Sequence, residues 1–501
     1  ILNYVNFKII SFIFLVFVII LFKSLKIDFI TISGKNNVIK VAFYCISFKY
    51  GGVERVTSIL LNYLSKEKKF NLFLITKKLI EKEEYNIPNN VKRISLKGKN
   101  INLIRAINME HIDILVYNLY EKKEIYKLNK LKKTKVIYYN HSSYFLWIFK
   151  HIYNLEKSIY KTYRNCKYIL SLIPLENDYL FKKWGINSIF INNPSTYEYD
   201  SVIPSKLINK NIIMIGRGND KSKRFTFGIK AMKFIIKQIP ESIMNVLSNK
   251  DDDLENLIQS LNLHKYINIV GYHKNPESYF LNSSLHIFPS ICDTYPMVIS
   301  ETKIFGIPTI ICGLDYLALA EKGTVIIHDN DPYILASEAI KILKDNNYRK
   351  KLGFEARESM KNISNKLIIK KWVKLLLSVY NDNYNLSEYK NLEDIHIKIC
   401  ILAFYSILKH GDVDYNSLLK YFVNVFMSLS PLPDTVRTTT SVGLNGSWES
   451  VAKACELSIA GIMPSNRVSC SAASMACLSV MANTFDLPVF AKCACIGPMP
   501  G

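Results

Sequence analysis

No RNP signature, zinc-finger spacing or basic-zipper pattern accompanies the positive charge of this chain, so nothing in it reads nucleic acid. Acidic residues are the scarce charge: 42 Asp and Glu stand against 65 Lys and Arg, a formal balance of +23. That excess suits anionic partners such as nucleotides, phosphorylated lipids or an acidic membrane surface. Charged residues of both signs make up only 21% against 49% hydrophobic, which excludes a disordered chain and a purely electrostatic binding segment. Histidine is missing where zinc would need it. Cys455, Cys470, Cys477, Cys493 and Cys495 crowd the C-terminal end with no histidine among them to complete a metal spacing. Cys45, Cys166, Cys292, Cys312 and Cys400 are isolated in apolar or strand-like contexts and read as reduced core residues.

One uninterrupted apolar run stands near the start, Ile9 to Phe22, and Lys8 is the sole charge back to Tyr4. It is short for a bilayer span. A signal-peptide core and a buried helix compete with a signal anchor. No small-residue cleavage site follows, and Lys23 and Lys26 suit interfacial anchoring, so an anchor is the favoured reading.

At 501 residues the chain exceeds one ordinary core and implies two domains with additions. Residues 38–48 form a strand-like run, Gly51-Gly52 a turn, and residues 53–66 a helical pattern. Short apolar strands recur as FNLFLIT, IDILVYN, KVIYYNH, YILSLI and NSIFINN, several separated by amphipathic stretches. A second series runs through NIIMIG, MNVLS, INIVGY, LHIFPS, PTIICG and TVIIHD. Such alternation predicts parallel sheets covered by helices, in two doubly wound Rossmann-like lobes with a boundary near residues 192–206. Beyond about Asp434, Lys and Asn become rare and Ala, Ser, Cys and Met dominate, as in a separate module or a chimeric join.

Three places carry candidate chemistry. Gly51 and Gly52 let backbone approach a ligand closely and aim helix N-terminal amides at an anion; a plain strand-to-helix turn would look the same. Arg217, after a strand, and Lys223, before a helix, suit a diphosphate leaving group, whose developing charge fixed cations stabilise. Either is equally readable as a solvated surface cation. In the segment 289–311, Asp293 and Glu301 are separated by seven residues and Tyr295-Pro296 opens a helix. The helix start at Pro296, Met297 and Val298 faces a phosphate in this reading, Asp293 faces sugar hydroxyls and Glu301 a ribose. The plainer alternative is an Asp cap followed by an exposed helical Glu. The acidic runs Asp251-Asp252-Asp253 and Asp329-Asn330-Asp331 lead straight into helical patterns and read as caps and turns, with no metal role.

These pieces fall in one order: GGVER at 51–55, NHS at 140–142, NNP at 192–194, GR at 216–217, SKR at 222–224 and the segment from Ser290 to Pro308. In that order they resemble glycosyltransferase family 4, a group 1 family with the two-lobed GT-B fold, over roughly residues 38–383. The resemblance implies a retaining transferase that needs no metal or other cofactor and moves a sugar from a UDP- or GDP-sugar to a saccharide or lipid-linked acceptor in glycan or polysaccharide biosynthesis. It puts Gly51 and Gly52 at the donor loop, Arg217 and Lys223 on the diphosphate, and Glu301 on the ribose as the second acid of E-x7-E. His141 matches a histidine near the reacting sugar, with a backbone-bonded strand-end histidine as the rival reading. Asp293 stands where the family has its first Glu, and Thr294 where it usually has Gly; the shorter acid reaches less far toward the sugar.

The expected organisation is an anchor at 1–34, an acceptor-side lobe at 35–205, a donor-side lobe at 206–369, a returning helix at 370–383 with Trp372 in a packing role, an extra helical region at 384–433 and the tail at 434–501. The expected partners are a nucleotide sugar, a glycan or lipid-linked acceptor and a membrane, with the lobes on the cytoplasmic face. Two rivals remain: a non-catalytic GT-B-like subunit that binds a partner or lipid, and a related epimerase or phosphorylase.

Overall fold

A parallel strand buried on both faces must be apolar along its length, and the runs that satisfy this rule are the strands of the protein. The computed structural model describes residues 38–384 except 50, 83, 143–153, 219, 272, 274, 315, 316, 328 and 330. The first sheet contains β1 (Ile39–Cys45), β2 (Phe70–Thr76), β3 (Lys92–Ser95), β4 (Ile114–Tyr117), β5 (Lys135–Tyr139), β6 (Tyr168–Ser171) and β7 (Ile189–Phe190). Its order is β3-β2-β1-β4-β5-β6-β7, with every pairing parallel. The second contains β8 (Ile212–Ile215), β9 (Met244–Leu247), β10 (Ile267–Ile269), β11 (Leu285–Phe288), β12 (Thr309–Cys312) and β13 (Thr324–Ile327). Its order is β10-β9-β8-β11-β12-β13, again parallel.

Each sheet grows outward from its first strand and then restarts on the other side, so strand order reverses between β1 and β4 and between β8 and β11. Loops leaving the carboxyl ends of those strands diverge there and leave a crevice. Gly51 follows β1, Asn118 follows β4, Arg217 follows β8 and Asp293 follows β11. The topology thus sends three of the candidate residues, Gly51, Arg217 and Asp293, to two switch points.

The helix Asn365–Tyr380 leaves the second sheet and packs on the first. Trp372 is fully buried, its ring 6.1 Å from Phe43 and 5.3 Å from Tyr139. The segment between the sheets is pinned by side chains. Asn365 exchanges hydrogen bonds with the Ser195 backbone, Arg357 donates to the Tyr199 and Val202 carbonyls, and the buried Arg349 donates to the Leu207 carbonyl. Such bonds fix a linker that has no strand partners of its own.

The acidic runs act as helix starts. Asp251 accepts from the Asp253 and Leu254 amides, and Asp331 from the Tyr333 amide. Two features differ from expectation. The four-residue strand β3, KRIS, was not anticipated because its first two positions are cationic and only Ile94 and Ser95 are buried. The returning helix begins five residues earlier than residue 370, at Asn365. The apolar run Ile9–Phe22 and the regions 385–433 and 434–501 lie outside the described residues. Among the described residues no helix is long and apolar enough to cross a membrane.

Candidate active site

Gly51 caps the helix Gly52–Leu64 with φ +123°, a conformation that excludes most side chains, and a Cβ there would also meet the Glu54 carboxylate. A Cβ on Gly52 would meet nothing within 4 Å, so open space lies in front of the helix start. The next turn carries Glu54 and Arg55. Burial raises the Glu54 carboxyl above its ordinary pKa, while a backbone hydrogen bond and the positive field of Arg217 pull it back. Arg217 of the second sheet therefore stands within electrostatic reach of the glycine helix.

Glu301, on the helix Met297–Ile304, is 2% exposed. Its Oε1 accepts from Arg55 Nη1 at 2.8 Å and from Thr196 Oγ1 at 2.7 Å, joining the first sheet's helix, the linker and the second sheet's helix. Its Oε2 takes no hydrogen bond among the described residues. The exposed helical Glu of the plainer reading is thereby excluded. Asp293 is not a helix cap either: the N-cap is Pro296, without a side-chain bond, while Asp293 accepts from the Thr294 amide and from Lys223 Nζ at 2.8 Å. Pro296 has no N–H, so the amides available at this helix start are those of Met297 and Val298.

Lys223 lies in the short turn Lys221–Lys223, which is tied to the Asp293 loop: the Ile291 amide and Ser290 hydroxyl both donate to the Ser222 carbonyl. Arg217 is the most open of the group, its side chain 75% exposed and paired with Asp220 at 3.0 Å. Each of the two cations expected at a diphosphate thus rests on a carboxylate.

His141 lies two residues past β5, its ring 4.0 Å from that of Tyr139. Its carbonyl accepts from Thr294 Oγ1 at 3.0 Å, a second bond between the sheets. Its Nε2 meets Asn118 Oδ1 at 3.2 Å, so the backbone-bonded reading of this histidine does not hold. Burial lowers its pKa to about 3, leaving a neutral imidazole. Tyr295, two residues after Asp293, is 4% exposed with a hydroxyl that finds no partner among the described residues, and burial pushes its pKa up.

The ten expected residues divide as follows. Gly51, Gly52 and Arg217 gather at the glycine helix; Lys223 and Asp293 pair; His141 touches the residue next to Asp293; and Pro296, Met297 and Val298 open the helix that carries Glu301, which Arg55 reaches from the first sheet. Arg55, Thr196 and Asn118 were missed. Arg55 stands inside GGVER and Asn118 at the end of the IDILVYN strand, so their positions gave a signal, but their partners are 246 and 23 residues away. Among the described residues no group of three or more His, Cys, Asp or Glu could hold a metal ion. A cavity lined by Tyr160, Arg164, Lys167 and Trp184 shares none of the candidate residues.

Residues 198–359 match the family described as glycosyl transferases group 1. Over 369 residues the chain is 21% identical to a Campylobacter jejuni enzyme, GalNAc-alpha-(1->4)-GalNAc-alpha-(1->3)-diNAcBac-PP-undecaprenol alpha-1,4-N-acetyl-D-galactosaminyltransferase, covering 68% of this chain and 99% of that one. It is 23% identical over 236 residues to a poly(glycerol-phosphate) alpha-glucosyltransferase of Bacillus subtilis, covering 45% of this chain and 33% of that one. Among solved structures, sucrose-phosphate synthase from Thermosynechococcus elongatus superposes with a TM-score of 0.58 at 16% identity, over 69% of this chain and all of that one. HepE of Anabaena, solved in complex with UDP and glucose, gives 0.54 at 13% identity, over 68% of this chain and 100% of that one. At such identities the likeness shows the fold: α/β with two parallel sheets, consistent with the two-lobed GT-B arrangement. The family match and the relatives together support a group 1 glycosyltransferase, an enzyme class that draws on nucleotide-sugar donors.

Proposed function

We propose that the chain is a retaining, family 4-like hexosyltransferase that moves a sugar from a nucleotide-sugar donor to a saccharide or lipid-linked acceptor in glycan biosynthesis, with no metal required. The observation that carries this reading is the junction of the two switch points: Arg55 on Glu301 and Thr294 on His141 bring the carboxyl ends of both sheets to one crevice. In this reading residues 35–205 face the acceptor and residues 206–369 hold the donor. The ribose lies on Glu301 Oε2, and the diphosphate lies against Lys223, Arg217 and the Met297 and Val298 amides. The bond from the anomeric carbon to the diphosphate oxygen breaks, and its electron pair leaves with the nucleotide. Fixed cations and helix-start amides stabilise that charge without reorganising. Gly52 leaves room for the donor's approach, and His141 and Asp293 border the sugar. The acceptor hydroxyl attacks the face the leaving group vacates, and its proton passes to the departing diphosphate oxygen.

Two of the curated relatives carry alpha linkages in their names, which supports retention for an alpha-linked donor, and the Campylobacter name supports a lipid-linked acceptor. Residues 1–34 serve as a membrane anchor in this reading, with the lobes on the cytoplasmic face; protease protection in sealed vesicles tests that side of it.

The test of the activity is a panel of nucleoside diphosphates screened for thermal stabilisation, followed by transfer assays. A ligand that binds only the folded chain raises its stability by about 2.7 kcal/mol at a hundred times Kd. One diphosphate is expected to stabilise the protein, and Arg217→Ala, Lys223→Ala and Glu301→Gln are each expected to cut transfer by orders of magnitude while the fold survives. Normal turnover in all three at saturating donor would overturn the site. Stabilisation by a nucleotide without any transfer would favour a non-catalytic subunit.

A further inference from the structure

Thr57, on the helix Gly52–Leu64, donates its hydroxyl proton to the Val53 carbonyl at 2.8 Å. A hydroxyl has one proton, so toward every other neighbour Thr57 Oγ1 is an acceptor. One such neighbour is the side-chain nitrogen of Asn118 at 3.3 Å; another is Cys45 Sγ at 3.7 Å, which must be the donor of that pair. Asn118 Nδ2 also reaches Cys45 Sγ at 3.5 Å. The amide is therefore oriented with its NH2 toward Thr57 and Cys45 and its oxygen away from them. This assignment follows from the network, the sound basis for placing an amide's nitrogen and oxygen. The oxygen faces His141 Nε2 at 3.2 Å, and an amide oxygen can only accept.

We infer that Asn118 is a positioning residue that holds His141 in its neutral Nε2–H tautomer, leaving Nδ1 as a lone pair that engages a ligand only by accepting a hydrogen bond from one of its hydroxyls. Nδ1 makes no hydrogen bond among the described residues. Among the described residues, the groups that meet His141 through a hydrogen bond or ring contact are the Tyr139 ring, the Asn118 amide and the Thr294 hydroxyl on its carbonyl, all uncharged. Burial works in the same direction, since it disfavours the imidazolium. A phosphate oxygen, which has no proton to give at neutral pH, finds no partner at this ring; a sugar hydroxyl does. That the hydroxyl belongs to a sugar rests on the proposed function, whereas the tautomer does not.

The test is 15N-histidine NMR of the full chain in detergent micelles, with the His141 signal among the nine histidines assigned by its loss in His141→Gln. The expected result is a neutral Nε2–H imidazole at pH 7. An Nδ1–H tautomer or an imidazolium there overturns the inference. Asn118→Leu is expected to release the ring into a mixture of tautomers, and Thr57→Val, which removes the acceptor that orients the amide, to do so in part; should Asn118→Leu not fold, Thr57→Val carries the comparison. An unchanged Nε2–H signal in both variants would also overturn it. In transfer assays the loss of one neutral hydrogen bond is expected to raise donor KM about 2- to 10-fold in Asn118→Leu with kcat little changed. A tautomer shift with unaltered KM would leave the relay standing and refute the placement of a sugar hydroxyl at His141.

Discussion

Replacing Arg55 by Met while Glu301 stays is the perturbation that most directly tests the joining of the two sheets. The pair is 2.8 Å apart, with side chains 21% and 3% exposed. At an effective dielectric of about 20 its gross attraction is about 6 kcal/mol, an upper bound that desolvation of both ions offsets. Removing one partner of a buried pair typically costs about 3–5 kcal/mol because the other charge is stranded. Arg55 is one-fifth open to solvent and Glu301 keeps the Thr196 hydroxyl, so about 2–3 kcal/mol is expected for Arg55→Met. Glu301→Gln keeps a neutral acceptor for both partners and costs about 1 kcal/mol. Arg55→Met/Glu301→Gln strands no charge, so its cost is expected to fall short of the sum by about 1–2 kcal/mol. The assay is urea unfolding of the four proteins, read by tryptophan fluorescence. Additivity to within about 0.5 kcal/mol would show that the two groups are not coupled in the folded protein and would refute the reasoning.

Three further outcomes are expected. Gly51→Ala should lose about 1 kcal/mol or more of stability because φ +123° strains any side chain, whereas Gly52→Ala should leave unfolding unchanged and weaken nucleotide stabilisation; equal effects of the two on stability would contradict open space in front of Gly52. The buried His286, whose pKa is driven to about 3 by burial, refuses a proton that the unfolded chain accepts below about pH 6.5. Its contribution is present above that pH and lost as pH falls toward 3, at up to about 1.4 kcal/mol per unit, so His286→Asn should flatten the acid limb of a stability-pH curve; an unchanged slope would show that the imidazole is protonated in place. The loss of nucleotide affinity in Arg217→Ala should shrink between about 50 and 500 mM salt while that in Lys223→Met persists, since Arg217 is exposed and Lys223 is not; parallel salt dependence would remove the distinction.

The fold was legible because parallel strands buried on both faces are written as continuous apolar runs, and twelve of the thirteen strands carry such a run. The exception, KRIS, opens on two cations and is held in the sheet by its pairing with β2. Glycines and helix starts were legible because they are local. Charge pairing was not: Lys223 meets Asp293 across 70 positions and Arg55 meets Glu301 across 246, and no periodicity encodes such separations. Asn118 shows the intermediate case. A polar residue closing an apolar strand at a switch point is suspicious by position, but its role appears only when Thr57 fixes which end of its amide faces His141.

That every expected ligand-binding charge already holds a partner looks at first like an argument against a nucleotide site, and the atoms resolve it. Lys223 has three protons, and one suffices for Asp293, so a phosphate oxygen can join it without displacing the acid. Glu301 spends only Oε1 on Arg55 and Thr196, leaving Oε2 for a ribose hydroxyl. Arg217 alone must exchange partners if its fork is to meet a diphosphate bidentately, and it is the cation whose pair is exposed and therefore worth about 0–1 kcal/mol. Two of the three charges are thus held in place by partners they can keep, and the third gives up little on leaving its own. Under the proposed function the resting pairs keep the site rigid and neutral in the absence of ligand while adding little to the cost of binding one.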